Sequence, residues 1–384
     1  MYIEFSQTTP VIFGRGSISI LGEKVSGMGC KKALIICEKG IEDAGIVAKA
    51  TEILKAAGVE YAVYNGVLAD PPDNIVDEAG ETALREGADC LIGLGGGSSL
   101  DTSKAAAILM TNPGPARKYI NQTPMVIETK IPLFLIPTTA GTGSEVTAVA
   151  VISLPDKNVK WSVFVTPTLA LVDPELMVSL PRSISASTGM DALAHAAESI
   201  TNLNCNPHSD LYSEAAIKKI AKNLLTCCDD PNNIDARSEL ALAANWAGMA
   251  FNITITHVGH ALADALSCYL HTPHGLNCAL ALPETMSIVA PVIPERMRTI
   301  AEAMEIPLTG KETGEELGKL VADSMRDLMR KIGIKSLKEM GYNREQIVSF
   351  APHVTANFLS TFCPVKIDEE AAGKLLAAMY DTYQ

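Results

Sequence analysis

Six of the seven histidines lie between residues 195 and 274, interleaved with aspartates at helical intervals. Asp191 and His195 stand four apart, so both side chains share one helix face and can reach one ion. His257, His260 and Asp264 form another set at i, i+3 and i+7, and His271 and His274 bracket Thr272-Pro273 just before Gly275. On one unbroken helix His260 and His274 would be about 21 Å apart, too far to share an ion. Pro273 and Gly275 supply a break that lets the chain carry His274 back. Imidazole and carboxylate donors suit Zn²⁺, Fe²⁺, Co²⁺ or Ni²⁺, and a set without cysteine argues against a thiolate zinc site. A solitary histidine is more often a satisfied core residue, but this density favours a metal centre. Spacing does not choose among His257, His260, Asp264 and His271 as further ligands.

Two glycine-rich loops offer different chemistry. A buried strand over 90–94 runs into Gly95-Gly96-Gly97-Ser98-Ser99-Leu100-Asp101-Thr102-Ser103-Lys104, and an alanine-rich helix follows. Glycines let the backbone approach a phosphate, and a helix N-terminus presents free N–H groups to it. Ser98 or Ser99 is expected to cap that helix, with Asp101 returning a capping bond. The Gly-Lys-Ser/Thr order of a Walker loop is absent. The second loop, Pro137-Thr138-Thr139-Ala140-Gly141-Thr142-Gly143-Ser144-Glu145-Val146-Thr147, carries five hydroxyl side chains, which suit a ribose or a nicotinamide carboxamide. Ligands collect beyond the carboxyl ends of parallel strands, which is where both loops fall.

The elements that must position these groups follow from periodicity. Apolar runs at 33–37, 61–64, 90–94, 131–136 and 169–172 alternate with helical stretches such as 47–57 and 75–86. That alternation predicts a mostly parallel sheet with helices on both faces, and 11–13 as an additional edge strand. From about Pro181 the pattern becomes helical over 184–205, 209–228, 236–251, 257–270, 294–304, 313–331, 344–357 and 367–382. The expected domains are 1–181, an α/β unit, and 182–384, an all-α unit.

Composition narrows the function classes. The 384 residues are 47% hydrophobic and 20% charged, with a net charge of -13 and no run of basic residues, which argues against nucleic acid as a partner. No stretch reaches the roughly 18 apolar residues of a spanning helix, so no membrane association is expected. The opening Met1-Tyr2-Ile3-Glu4-Phe5 has neither the basic nor the apolar region of a secretory signal. Nine scattered cysteines without a Cys-x-x-Cys pair predict reduced thiols and a cytoplasmic location.

Four motifs, in order, resemble the iron-containing (group III) alcohol dehydrogenase family: Gly95-Gly96-Gly97-Ser98-x-x-Asp101-x-x-Lys104, Pro137 to Thr147, Gly189-Met190-Asp191-Ala192-Leu193-Ala194-His195, and Pro273-His274-Gly275. The likeness spans nearly the whole chain. It implies a Rossmann-like dinucleotide-binding domain and an all-helical, dehydroquinate-synthase-like metal domain. By motif, Asp191, His195, His260 and His274 are the implied ligands of Fe²⁺ or Zn²⁺. Gly96, Gly97 and Ser98 are implied at the pyrophosphate, with Asp101, Thr138, Thr139, Thr142, Thr147 and Lys160 around the cofactor. Glu38 matches an acidic position that bonds the adenosine ribose, which favours NAD(H) over NADP(H) because a carboxylate there repels a 2′-phosphate. The implied reaction is hydride transfer between NAD(H) and a primary alcohol or small aldehyde, in a homodimer or larger homo-oligomer.

Two departures bear on the chemistry. Many family members carry a second histidine four residues after the third ligand, where this chain has Asp264. The Asn-Pro-Arg run common near the family's C-terminus is replaced by Cys363-Pro364-Val365. Lys160, Asp264 and His271 are the expected catalytic side chains, with His271 as proton relay. Glycerol dehydrogenase-like and dehydroquinate synthase-like enzymes share the architecture, and a non-catalytic metal-stabilised protein is the reading from another class. Low Lys and Arg density argues against the lyase, whose substrate is phosphorylated and carboxylated.

Overall fold

A computed structural model describes residues 5–121, 126–178 and 180–384 of the chain. Met1–Glu4, read above for a signal segment, lie outside the described residues. The backbone divides into two compact units, Ser6–Ser179 and Leu180–Gln384, with Phe5 joined to the second.

The first unit is built on a six-stranded sheet of β1 (Val11–Phe13), β2 (Lys32–Ile36), β3 (Glu60–Tyr64), β4 (Cys90–Gly95), β5 (Leu133–Pro137) and β8 (Leu169–Val172). Its order is β1-β8-β5-β4-β2-β3, and every neighbouring pair is parallel. Successive side chains of a strand point to opposite faces, so a sheet covered on both sides needs apolar residues at every position. Leu34, Ile36, Leu91, Leu133 and Leu135 bury one face beneath α2 (Asp73–Glu86) and α3 (Gly97–Leu109). Ala33, Ile35, Ile92, Phe134 and Ile136 bury the other against α1 (Ile46–Ala56). β4 and β5 are adjacent, which brings the loops at their carboxyl ends side by side.

An antiparallel hairpin, β6 (Val149–Leu154) with β7 (Val159–Phe164), was not anticipated. Strand β6 alternates half-buried and buried positions, and Ala150, Ile152, Leu154 and Val163 extend the sheet's core. Asn158 closes the turn in the left-handed conformation, at φ 50°.

The second unit is helical: α4 (Arg182–Thr201), α5 (Pro207–Asp229), α6 (Ile234–Thr254), α7 (Val258–Leu270), α8 (His274–Val289), α9 (Pro294–Ala303), α10 (Gly314–Ile332) and α11 (Glu369–Asp381). Helix α4 is buried on nearly every side from Ser185 onward and packs against α5, α6 and α8, which makes it the axis of the unit. Helix α8 is absent from the sequence reading because Gly275, Asn277 and Pro283 look like loop punctuation; burial from Asn277 to Met286 overrides their weak propensity. The expected single helix over 344–357 is instead two short ones, Arg344–Val348 and Ala351–Ala356, followed by a 3-10 turn at Phe358–Phe362. No helix among the described residues is long and apolar enough to cross a membrane.

Candidate metal centre and nucleotide loops

Asp191 and His195 occupy successive turns of α4, His260 lies in the first turn of α7, and His274 opens α8. Helix α7 ends at Leu270, and Thr272-Pro273 then turns the chain so that α8 starts beside α4. Glycine makes that approach possible: a Cβ on Gly275 would stand 2.5 Å from the Ser187 carbonyl oxygen. Asp191 Oδ1 lies 3.8 Å from His195 Nε2, 3.8 Å from His260 Nε2 and 3.9 Å from His274 Nε2. Donors on one tetrahedral ion bound at about 2.1 Å stand about 3.4 Å apart, so small inward movements would close the set.

Burial supports the same reading. Asp191, His195 and His260 are 2%, 5% and 5% exposed. Asp191 Oδ1 and His260 Nε2 are buried and accept or donate no hydrogen bond, an arrangement native interiors avoid unless something else satisfies such atoms. Burial also pushes the His195 imidazole down to about 4, which leaves it neutral and able to donate a lone pair. Three imidazoles and one carboxylate therefore fit a divalent ion.

A residue that spacing had not singled out braces this group. Glu198 Oε1 accepts from His260 Nδ1 at 2.6 Å, and Oε2 accepts the His257 backbone N–H at 2.6 Å. Burial alone would raise this carboxyl, but His260 and His257 outweigh it and hold Glu198 at about 2. The bond fixes the tautomer and aims Nε2 of His260 at Asp191. A Cβ on Gly259 would fall 2.4 Å from Glu198 Oε1, so glycine is needed for α7 to come this close. The signal was present in the sequence: 191, 195 and 198 follow one helical face.

Other expected residues have different settings. His257 is fully buried and pairs through Nε2 with Thr201 Oγ1 at 2.8 Å. Asp264, one turn beyond His260, accepts from Asn357 Nδ2 at 3.0 Å. His271 is exposed and caps α7 in the left-handed conformation at φ 54°. One cysteine lies beside these donors: Cys278 Sγ is 3.4 Å from His274 Nε2. Its place on α8 was hidden while that helix was read as loop.

In the first unit, Gly96 caps α3 without a side-chain capping bond. The expected Ser98 or Ser99 cap is thus absent; the Ser99 backbone lies against the Glu38 carboxylate, and the glycine-rich start of α3 is the kind of turn that approaches an anion. The Asp101 carboxylate does not return to the cap; it accepts from Ser144 Oγ at 2.6 Å and from the Val151 N–H at 2.9 Å. Lys104, wholly buried, donates to Ser144 Oγ at 2.8 Å, Thr147 Oγ1 at 3.3 Å and the Val149 carbonyl at 2.6 Å. Asp101, Lys104 and Thr147 therefore tie the second loop to α3. The loops touch: a Cβ on Gly97 would meet Thr142 Cγ2 at 2.7 Å. The Thr138 N–H donates to the Gly95 carbonyl at 2.9 Å.

Glu38 lies two residues past the end of β2, and Oε1 lies 3.8 Å from where a Gly96 Cβ would stand, at the edge of the glycine-rich turn. Burial raises its carboxyl. Lys160 on β7 is paired with Asp70 at 2.6 Å, so its charge is already neutralised in place.

Comparison with known proteins covers both units. Residues 8–174 match the family model described as iron-containing alcohol dehydrogenase, and residues 185–380 match the model of that family's C-terminal part. A choline dehydrogenase of Bacillus subtilis (strain 168) is 35% identical over 348 residues, 89% of this chain and 86% of that protein. An NAD-dependent methanol dehydrogenase of Bacillus methanolicus is 32% identical over 342 residues, 88% of this chain and 89% of its own. Among solved structures, an alcohol dehydrogenase from Oenococcus oeni superposes with a TM-score of 0.93 at 33% identity, over 99% of this chain and all of that one.

Proposed function

The chain belongs to the iron-containing alcohol dehydrogenase family and is an NAD-linked oxidoreductase acting on CH–OH groups, and we propose that it interconverts a small primary alcohol and its aldehyde at an ion held by Asp191, His195, His260 and His274. The observation that carries the ligand set is the convergence of three imidazole nitrogens within 3.8–3.9 Å of one buried carboxylate oxygen. A divalent ion bound there supplies Lewis acidity toward a hydroxyl or carbonyl oxygen, and nicotinamide supplies or accepts the hydride.

The chain's own residues do the rest. His195 is kept neutral by burial, and Phe251 stacks on its ring at 4.3 Å, which fixes the ring plane. Glu198 holds the proton of His260 at Nδ1, so that Nε2 is the free donor. The side chain of His274 is 30% exposed, and the centre is open to solvent along that ring. Asp264, held by Asn357, lies on the same face of α7 as His260 and lends negative charge to the substrate side.

Gly96, Gly97 and Ser98 offer backbone N–H groups to the cofactor's pyrophosphate. Thr138, Thr139 and Thr142 offer hydroxyls and backbone to its sugars and carboxamide. Glu38 accepts the adenosine 2′-hydroxyl, which favours NAD(H). Asp101, Thr147 and Lys160 act from behind, by fixing the second loop and the β6–β7 hairpin. The nine free thiols support a cytoplasmic location, and a homodimer or larger homo-oligomer follows from the resemblance.

The test is a panel of small aldehydes, including betaine aldehyde, propanal and 3-hydroxypropanal, with NADH or NADPH after loading with Fe²⁺ or Zn²⁺. Loss of NADH absorbance with at least one aldehyde, faster than with NADPH, is the expected result. Turnover without net oxidation of NADH would point to lyase chemistry and end this reading.

A further inference from the structure

Cys278 has no part in the ligand set above, yet it stands within it. Its Sγ, one Asp191 carboxylate oxygen, and one ring nitrogen each of His260 and His274 all lie within 4.8 Å of one another. The thiol is 1% exposed, and its sulfur is 3.4 Å from His274 Nε2. It stands at i+4 from His274 on α8, so both side chains project from one face of that helix. The neighbouring Asn277 is committed elsewhere, donating to Ser267 Oγ at 2.9 Å and the Thr272 carbonyl at 3.1 Å. An independent observation marks the space as built for a ligand: His260 Nε2 is buried, faces Asp191 and has no hydrogen-bond partner.

We propose that Cys278 is a further, softer ligand of the metal centre, so that thiophilic divalent ions are held by an Asp191, His260, His274 and Cys278 set. This inference rests on the metal-centre reading above. On binding, the Sγ–H bond breaks, the sulfur lone pair forms the metal–sulfur bond, and the proton leaves to solvent; nothing is oxidised or reduced. A thiolate at about 2.3 Å completes a tetrahedral Zn²⁺ or Co²⁺ site, while harder Fe²⁺ gains less from sulfur and is served by the imidazoles. His195 is outside this close group, which gives the centre a histidine and a cysteine as alternative fourth donors. Cys278 thereby sets the preference of the chain for zinc over iron.

The experiment uses the full chain stripped by chelator and loaded with Co²⁺. The wild type is expected to take up one equivalent and to show an intense near-ultraviolet sulfur-to-cobalt charge-transfer band, absent from Cys278→Ser and Cys278→Ala. In anaerobic competition between Zn²⁺ and Fe²⁺, metal analysis should find the zinc preference of both variants lowered by about tenfold or more. One equivalent of Co²⁺ bound without that band, or with a band that survives both substitutions, overturns the role of Cys278 and leaves the Asp-His centre standing. Failure of the wild type to bind Co²⁺ at all would overturn both readings. The wild-type spectrum needs no variant to fold, so the first of these results can be read on its own.

Discussion

Glu198 touches neither cofactor nor substrate in this account, yet the orientation of His260 depends on it. Replacing it with glutamine keeps the volume and removes the charge that accepts the Nδ1 proton at 2.6 Å. Glu198→Gln should weaken ion binding by about 10–100-fold in a chelator-competition titration, with unchanged helical content by circular dichroism. Equal affinity would mean that the carboxylate merely fills space. At the other site, Glu38→Gly removes a carboxylate beside the Gly96 turn and should raise the NADPH to NADH ratio of kcat/KM by about tenfold, the scale of one lost repulsion. An unmoved ratio would remove Glu38 from cofactor choice. Asp191 and His195 were legible because one helix carries both at a spacing that needs no tertiary knowledge. His260 could not be told from His257 by interval alone: what separates them is that Thr201 pairs with Nε2 of one and Glu198 aims Nε2 of the other at Asp191. Cys278 was illegible because the helix that carries it was.

The two nucleotide loops act as one element because α3, the second loop and the hairpin are locked together by Asp101 and Lys104. Gly97→Ala would drive a methyl into Thr142 at 2.7 Å, a strain of about 1–3 kcal/mol. The measured consequence should be about tenfold weaker NADH binding. Thr142→Ser deletes the offending methyl and should restore affinity in the double variant; no rescue would show that the loss has another origin.

Lys104 adds a pH dependence whose sign can be stated. Burial, partly opposed by Asp101 and Glu145, lowers its ammonium from 10.5 to about 8. Between those values the unfolded chain holds a proton that the folded chain does not, so this group's contribution to stability rises with pH. The stability advantage of wild type over Lys104→Met should therefore grow from pH 8 toward pH 10 in urea melts. A gap that stays constant would mean that the lysine remains charged.

Element by element, legibility follows burial. The central parallel strands β4, β5 and β8 were readable because their positions are buried on both faces and their sequences are continuously apolar. The β6–β7 hairpin was passed over because its sequence mixes polar residues with apolar ones and many of its positions are only half-buried. In α8, burial holds a helix through residues that normally end one.

At the scale of the molecule, each compact unit carries one half of the proposed chemistry: nucleotide loops in Ser6–Ser179, ion donors in Leu180–Gln384. The family was legible from four motifs, whereas the substrate was not, since relatives of similar identity are named for choline and for methanol. Asp191 is the common neighbour of the three imidazoles, so the account is tested most directly by titrating chelator-stripped enzyme with Fe²⁺ while following NADH oxidation by an accepted aldehyde. Wild type should be inactive when stripped and reach full rate at one ion per chain. Asp191→Asn should stay inactive under the same titration while binding NADH as tightly as wild type. Full turnover by the stripped enzyme, or full recovery of Asp191→Asn at one equivalent, would contradict the proposed metal centre.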